Sequence, residues 1–142
     1  MERKCTNLPY LVLMQTSKAV QERVRLELIK YNLSITEFSV LEVLYHMEKQ
    51  TIQQIGNRVL ISSGSMTYVI DKLEQRGLLI RSACSDDRRV IHVTLTDDGH
   101  ELIEKIMPKH QELVNYMLGS LNNDEAKILV KLLKKVSIRA EN

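Results

Sequence analysis

Apolar residues recur every three or four positions along most of this chain, and every second position in one short region near its middle. From residue 8 to residue 31 the stripe is Tyr10, Leu13, Met14, Ser17, Val20, Val24, Leu28 and Tyr31. That spacing predicts one helix of about five or six turns, with Lys18, Arg23, Arg25 and Lys30 largely off the stripe. Pro9 suits the first turn, and Asn32 fits the left-handed position that ends a helix.

Ser34-Ile-Thr-Glu37 reads as a capping box, in which hydroxyl and carboxylate exchange bonds with the end amides. The helix it opens extends to about Met47, with Phe38, Leu41, Leu44 and Tyr45 inward. A second box, Thr51-Ile-Gln-Gln54, starts a short helix with Ile52, Ile55 and Val59 inward. Two caps so close together predict a tight corner. Ser62 or Ser63 then caps a further helix, whose Met66, Val69, Ile70 and Leu73 form an apolar face and whose C-terminus falls at Gly77.

Leu78–Arg81 and Val90–Leu95 have strand composition, with Ile91, Val93 and Leu95 alternating around the polar tip Ser85-Asp-Asp-Arg-Arg89. Thr96-Asp97-Asp98 begins another long helix, expected to bend at Pro108. Asn122-Asn-Asp-Glu125 separates it from a last helix bearing Ile128, Leu129, Leu132, Leu133 and Val136. The expected architecture is therefore mainly α with a small β-wing: a winged helix-turn-helix between long N- and C-terminal helices.

Composition changes this picture little. The 142 residues suit one domain, and 44% hydrophobic with 27% charged residues is ordinary for a globular chain. With five Gly and two Pro there are few breakers, which favours helix. A net charge of +2 does not by itself announce a polyanion partner. Apolar runs fall short of the roughly 18 residues of a membrane span, and the basic but mostly polar start is no secretory leader. A cytosolic, membrane-free protein is expected. Cys5 and Cys84 are too few for a disulfide framework.

The usual ligand of a winged helix-turn-helix is duplex DNA. On the helix that precedes the wing, Gly64, Thr67, Tyr68 and Asp71 lie opposite the apolar face, flanked by Ser65 and Lys72, and no acid occurs between Thr51 and Ile70. Short donors beside Tyr68 and Lys72 suit base edges, and amides at the helix start suit a phosphate. An arginine on the wing tip suits a minor groove, with a neighbouring Asp to hold it extended. The plain alternative for both is a solvated surface. The end helices carry more apolar face than one module covers, so a twofold dimer is expected, with recognition helices about 34 Å apart on a palindromic site.

LIRSACSDDRRVIHVTLTDDG resembles the wing of the MarR family of bacterial transcription regulators, SSGSMTYVIDKLEQRGLL its recognition helix, and SITEFSVLEVLYHM its second helix. The resemblance runs through residues 8–138 in order and at matching spacing. It implies a single MarR-type domain over 1–142, with 34–96 as the winged module and 8–31 and 97–142 as dimerisation helices. It also implies a homodimeric repressor of double-stranded DNA, without cofactor. Carried over by position, Asp87 orients the wing, Arg89 enters the minor groove, and Ser63, Ser65, Thr67 and Tyr68 face the major groove; Ser62, Lys72 and Arg88 are further expected DNA-binding residues.

Two ways of releasing DNA stay open in that family. One is noncovalent: Phe38 and Glu42, one turn apart, would meet Tyr10 and His110 around a small aromatic effector, its oxygens held by the carboxylate and imidazole. Similarity to the family's quinone-responsive subgroup favours a quinone or phenol. The other is thiol oxidation at Cys5 or Cys84, although Tyr10 stands where the peroxide-sensing branch has its cysteine and little positive charge surrounds Cys84. A metal-sensing variant would need clustered ligands, and His46, His92, His100 and His110 show no i, i+4 pairing. The chain lacks a nucleophile elbow, a glycine-rich phosphate loop and a metal motif, so an enzyme is not expected. A helical protein-binding dimer without DNA affinity is the rival from another class.

Overall fold

A computed structural model describes residues 7–59 and 65–142. Six α-helices and three short strands follow one another in it: α1 (Leu8–Leu28), α2 (Ile35–Met47), β1 (Gln50–Thr51), α3 (Ile52–Arg58), α4 (Met66–Gln75), β2 (Leu79–Ala83), β3 (Ile91–Leu95), α5 (Asp97–Met117) and α6 (Asn123–Glu141). The chain divides into two compact units, Met1–Pro108 and Lys109–Asn142.

Local chemistry places most element ends. The Asn7 side chain accepts from the Tyr10 amide at 2.9 Å, opening α1 with Pro9 in its first turn. A single 3₁₀ turn, Ile29–Tyr31, extends that helix to Asn32, which is left-handed at φ 55°. The Leu33 and Asn32 amides bond back to the Leu28 and Ile29 carbonyls, a Schellman closure with Leu33 and Leu28 both buried. Both predicted capping boxes are present, Ser34 with Glu37 and Thr51 with Gln54, each bond between 2.9 and 3.1 Å. A third, Asn122 with Glu125, opens α6 where the sequence suggested only a separator. At the end of α4, Gly77 has φ 74° and closes a second Schellman motif, Gly77 to Glu74 and Leu78 to Leu73.

The sheet has one strand more than the sequence suggested. Its order is β1-β3-β2, all antiparallel, with Gln50 opposite Val93, Leu79 opposite Leu95 and Ala83 opposite Ile91. β1 is only two polar residues long, too short for alternation to reveal. The alternation in β3 is also only partly used: Val93 is fully buried, but Ile91 lies out towards the wing tip and is exposed.

The core of the first unit gathers Leu28, Leu41, Leu44, Ile55, Ile70, Leu73, Leu79, Val93 and Ile103, all nearly solvent-free. α2 is buried on more than one side, since Val40 and Ser39 join Phe38 and Leu41, while Tyr45, expected inward, is only half-buried. α5 stays helical through Pro108. Gly99 in its first turn lies against the Leu78 backbone so closely that a Cβ there would overlap the carbonyl oxygen. Thr96 seals the same junction, its hydroxyl donating to the Gly77 carbonyl at 2.6 Å and accepting from the Gly99 amide at 3.1 Å.

Candidate nucleic-acid interface

α4 is strongly two-sided. Val69, Ile70 and Leu73 are buried, while Thr67, Tyr68 and Lys72 are exposed. The Lys72 ammonium sits over the Tyr68 ring, 5.4 Å from its centroid, so two of the proposed contact residues steady each other. The cap differs from expectation. Ser65, not Ser62 or Ser63, is the N-cap, its hydroxyl accepting from the Tyr68 amide at 3.5 Å, because the helix begins only at Met66. Ser62 and Ser63 lie outside the described residues.

Asp71 also departs from the sequence reading. Its carboxylate pairs with Arg81 on β2 instead of standing free on the polar face. Arg81 further donates from Nη1 to the Glu74 carboxylate at 2.7 Å, and its backbone amide reaches the other Glu74 oxygen at 3.0 Å. Asp71 first, then Glu74, hold the guanidinium charge more firmly, against some desolvation. The consequence is electrostatic: both acids of α4 are tied to one arginine from the wing side, which offsets part of their charge, while Lys72, Thr67 and Tyr68 stand outward. Arg81 was not singled out in the sequence. The available signal was a strand arginine following two acids spaced i, i+3 on the preceding helix.

At the wing tip the Asp87 carboxylate accepts from the Arg89 amide at 3.0 Å and from Arg89 Nε at 3.2 Å, with Nη2 3.4 Å from its other oxygen. Those bonds, the side-chain one foremost, hold the Asp87 carboxyl below its usual pKa. The tip is closed by two backbone bonds, Cys84 to Val90 at 2.8 Å and Val90 to Asp87 at 3.0 Å. The side chain of Arg89 is nevertheless 90% exposed, and Arg88 is exposed beside it. An arginine steadied by Asp87 through Nε and Nη2 yet almost wholly exposed has the form needed to enter a narrow groove.

The residues proposed for an effector differ in exposure. Phe38 and Glu42 share α2 one turn apart, but Phe38 is only 3% exposed whereas Glu42 is half-buried. Tyr10, in the first turn of α1, is 53% exposed, and His110 is half-buried in the second unit. A recess of about 320 Å³ lies along α1 between Met14, Gln21 and Ile35, and none of the four residues lines it. Cys84 is a free, half-buried thiol at the end of the wing, and Cys5 lies outside the described residues. Among the described residues no three His, Cys, Asp or Glu side chains cluster as metal ligands would, and no helix is long and apolar enough to cross a membrane.

Comparison with known proteins agrees with this geometry. The MarR family model matches residues 33–91. The chain is 39% identical to the HTH-type transcriptional regulator MhqR of Bacillus subtilis (strain 168), over 93% of its own length and 91% of that protein. Its fold is similar to that of AbsC, a MarR family transcriptional regulator from Streptomyces coelicolor, with a TM-score of 0.87, 20% identity and 99% of each chain covered. It is also similar to BpsR of Bordetella bronchiseptica, whose DNA binding is regulated by 6-hydroxynicotinic acid, with a TM-score of 0.82, 26% identity and coverage of 96% and 97%. These are transcriptional regulators and not enzymes, and the chain belongs with them to the MarR family.

Proposed function

We propose that the chain is a homodimeric repressor that grips a roughly palindromic duplex and releases it when a small aromatic molecule binds. In this reading residues 34–96 bind DNA, and helices within 8–31 and 97–142 pair two copies. The observation that carries it is the surface of the winged module: Thr67, Tyr68 and Lys72 stand outward on α4 while Asp71 is drawn to Arg81, and Arg89 projects from a tip tied by Asp87. Ser65, the N-cap of α4, would serve a phosphate at the helix start.

A quinone or phenol is the proposed effector class. The likeness to the family's quinone-responsive subgroup supports it, as does the regulation of BpsR by a hydroxylated aromatic acid. Tyr10 and Glu42 would hold its ring and oxygens, and buried Phe38 would form the floor.

The test is fluorescence anisotropy with a duplex selected from a randomised pool by the wild-type protein. Arg89→Ala should weaken binding about tenfold to thirtyfold, in line with loss of one charge-assisted contact. Affinity should also fall steeply with added salt. A Cys5→Ser, Cys84→Ser double variant should still release the duplex on addition of a hydroquinone. Unchanged affinity in Arg89→Ala would remove the wing assignment, and a double variant deaf to the hydroquinone would shift the sensor to thiol chemistry.

A further inference from the structure

The corner that ends α1 is a junction of three elements. The chain reverses at Asn32, whose own amide and that of Leu33 are spent on the carbonyls of Ile29 and Leu28. The carbonyls of Tyr31 and Asn32 are met by a residue far away in sequence. Arg76, the C-cap of α4, donates from Nη1 to the Asn32 oxygen at 2.7 Å and from Nη2 to the Tyr31 oxygen at 3.2 Å. The Tyr31 ring faces another cation, Lys105 of α5, whose ammonium is 6.0 Å from its centroid.

The electrostatics give this fork a purpose. The C-terminal end of a helix carries roughly half a negative charge, and the ends of α1 and α4 are brought together here, where they would repel. Arg76 sits in the gap, at the end of its own helix and bonded to the last carbonyls of the other. Its planar pair of donors also fixes direction, which a single ammonium would not. α2 packs against both helices, so the fork adds an angular restraint to an apolar contact.

We infer that Arg76 is a positioning residue for operator recognition. By clamping the end of α4 to the end of α1, it sets the direction of the recognition helix relative to the long helix through which two copies would pair. This rests on the dimeric DNA-binding function proposed above. Its signature is spacing: one inserted base pair turns a half-site by about 35° and moves it by about 3.4 Å, which a rigid joint rejects and a loosened joint accepts.

The experiment uses the full-length chain, the selected palindromic duplex, and versions with one base pair inserted or deleted between half-sites. Wild type should prefer the selected spacing strongly. Arg76→Gln should lose about tenfold on that spacing but less than about twofold on the altered ones, so that discrimination collapses. Arg76→Lys should recover part of the affinity and little of the discrimination. Circular dichroism and melting of each variant identify a chain that has failed to fold, and Arg76→Lys then carries the comparison. An equal loss on every duplex would mean a merely structural role and overturn the inference, as would an unchanged spacing preference. A wild type that selects no duplex would overturn the DNA-binding function itself, and the inference with it.

Discussion

The winged module and the end helices meet solvent on opposite terms. In the module, the apolar side of α4 is buried and its polar ties close within one chain: Arg81 to Asp71 and Glu74, Arg76 to the end of α1, and Thr96 to Gly77. α6 has no buried residue at all, with Ile128 55% and Leu132 52% exposed on one stripe. The first turns of α1 behave likewise, Tyr10 and Met14 lying open while Val24 and Leu28 further along are buried. The contrast separates a part that is finished as a single chain from parts that are not. Exposed apolar faces of this kind suit a protein partner, and a second copy is the occupant that the proposed dimeric function requires.

The sharpest way to break the contrast is to charge the unfinished face. Ile128→Glu with Leu132→Glu should convert a dimer to a monomer by light scattering, and weaken operator binding by about a hundredfold or more as bivalency is lost. A doubly charged variant that remains dimeric would show that α6 pairs with nothing.

The finished part is better probed where it is most crowded. Gly99→Ala puts a Cβ into the Leu78 carbonyl, a backbone atom that has no rotamer to retreat to. It should cost about 2–3 kcal/mol and lower the melting temperature by roughly 6–9 °C. A neutral result would mean that the junction between wing and α5 is looser than its hydrogen bonds imply.

The smallest effect expected is at the wing tip. Asp87 is depressed by Arg89, so its contribution is complete above the unfolded value of about 3.9 and is lost as pH falls through the lower folded value. The Arg89 Nε resonance should therefore stay constant from pH 8 to about pH 5 and move only below about pH 4. A midpoint between pH 5 and 7 would show that the two side chains are not paired in solution. Because the pair is open to water, overall stability should hardly register the change.

Most of the helical skeleton was legible because it is written in short-range chemistry. Ser34 with Glu37, Thr51 with Gln54, and Asn32 and Gly77 at left-handed ends are each decided within about four residues. The same holds for Asp87 with Arg89, two positions apart. What went unread depended on residues distant in sequence. β1 exists only because β3 lies beside it, Arg76 acts across 44 and 45 residues, and Asp71 leaves the polar face only because β2 delivers Arg81 to it. The start of α4 at Ser65 was missed because three serines within four positions offer equivalent caps.

By itself the sequence determined most helix ends, the two-sided character of α4 and the charged wing tip, since hydrogen bonds within a turn and apolar spacing suffice for those. Only the tertiary structure decided which apolar stripes are used up inside one chain and which stay open. Burial depends on what the other elements bring against a face, and a stripe carries the same spacing whether its cover is the chain's own core or another molecule.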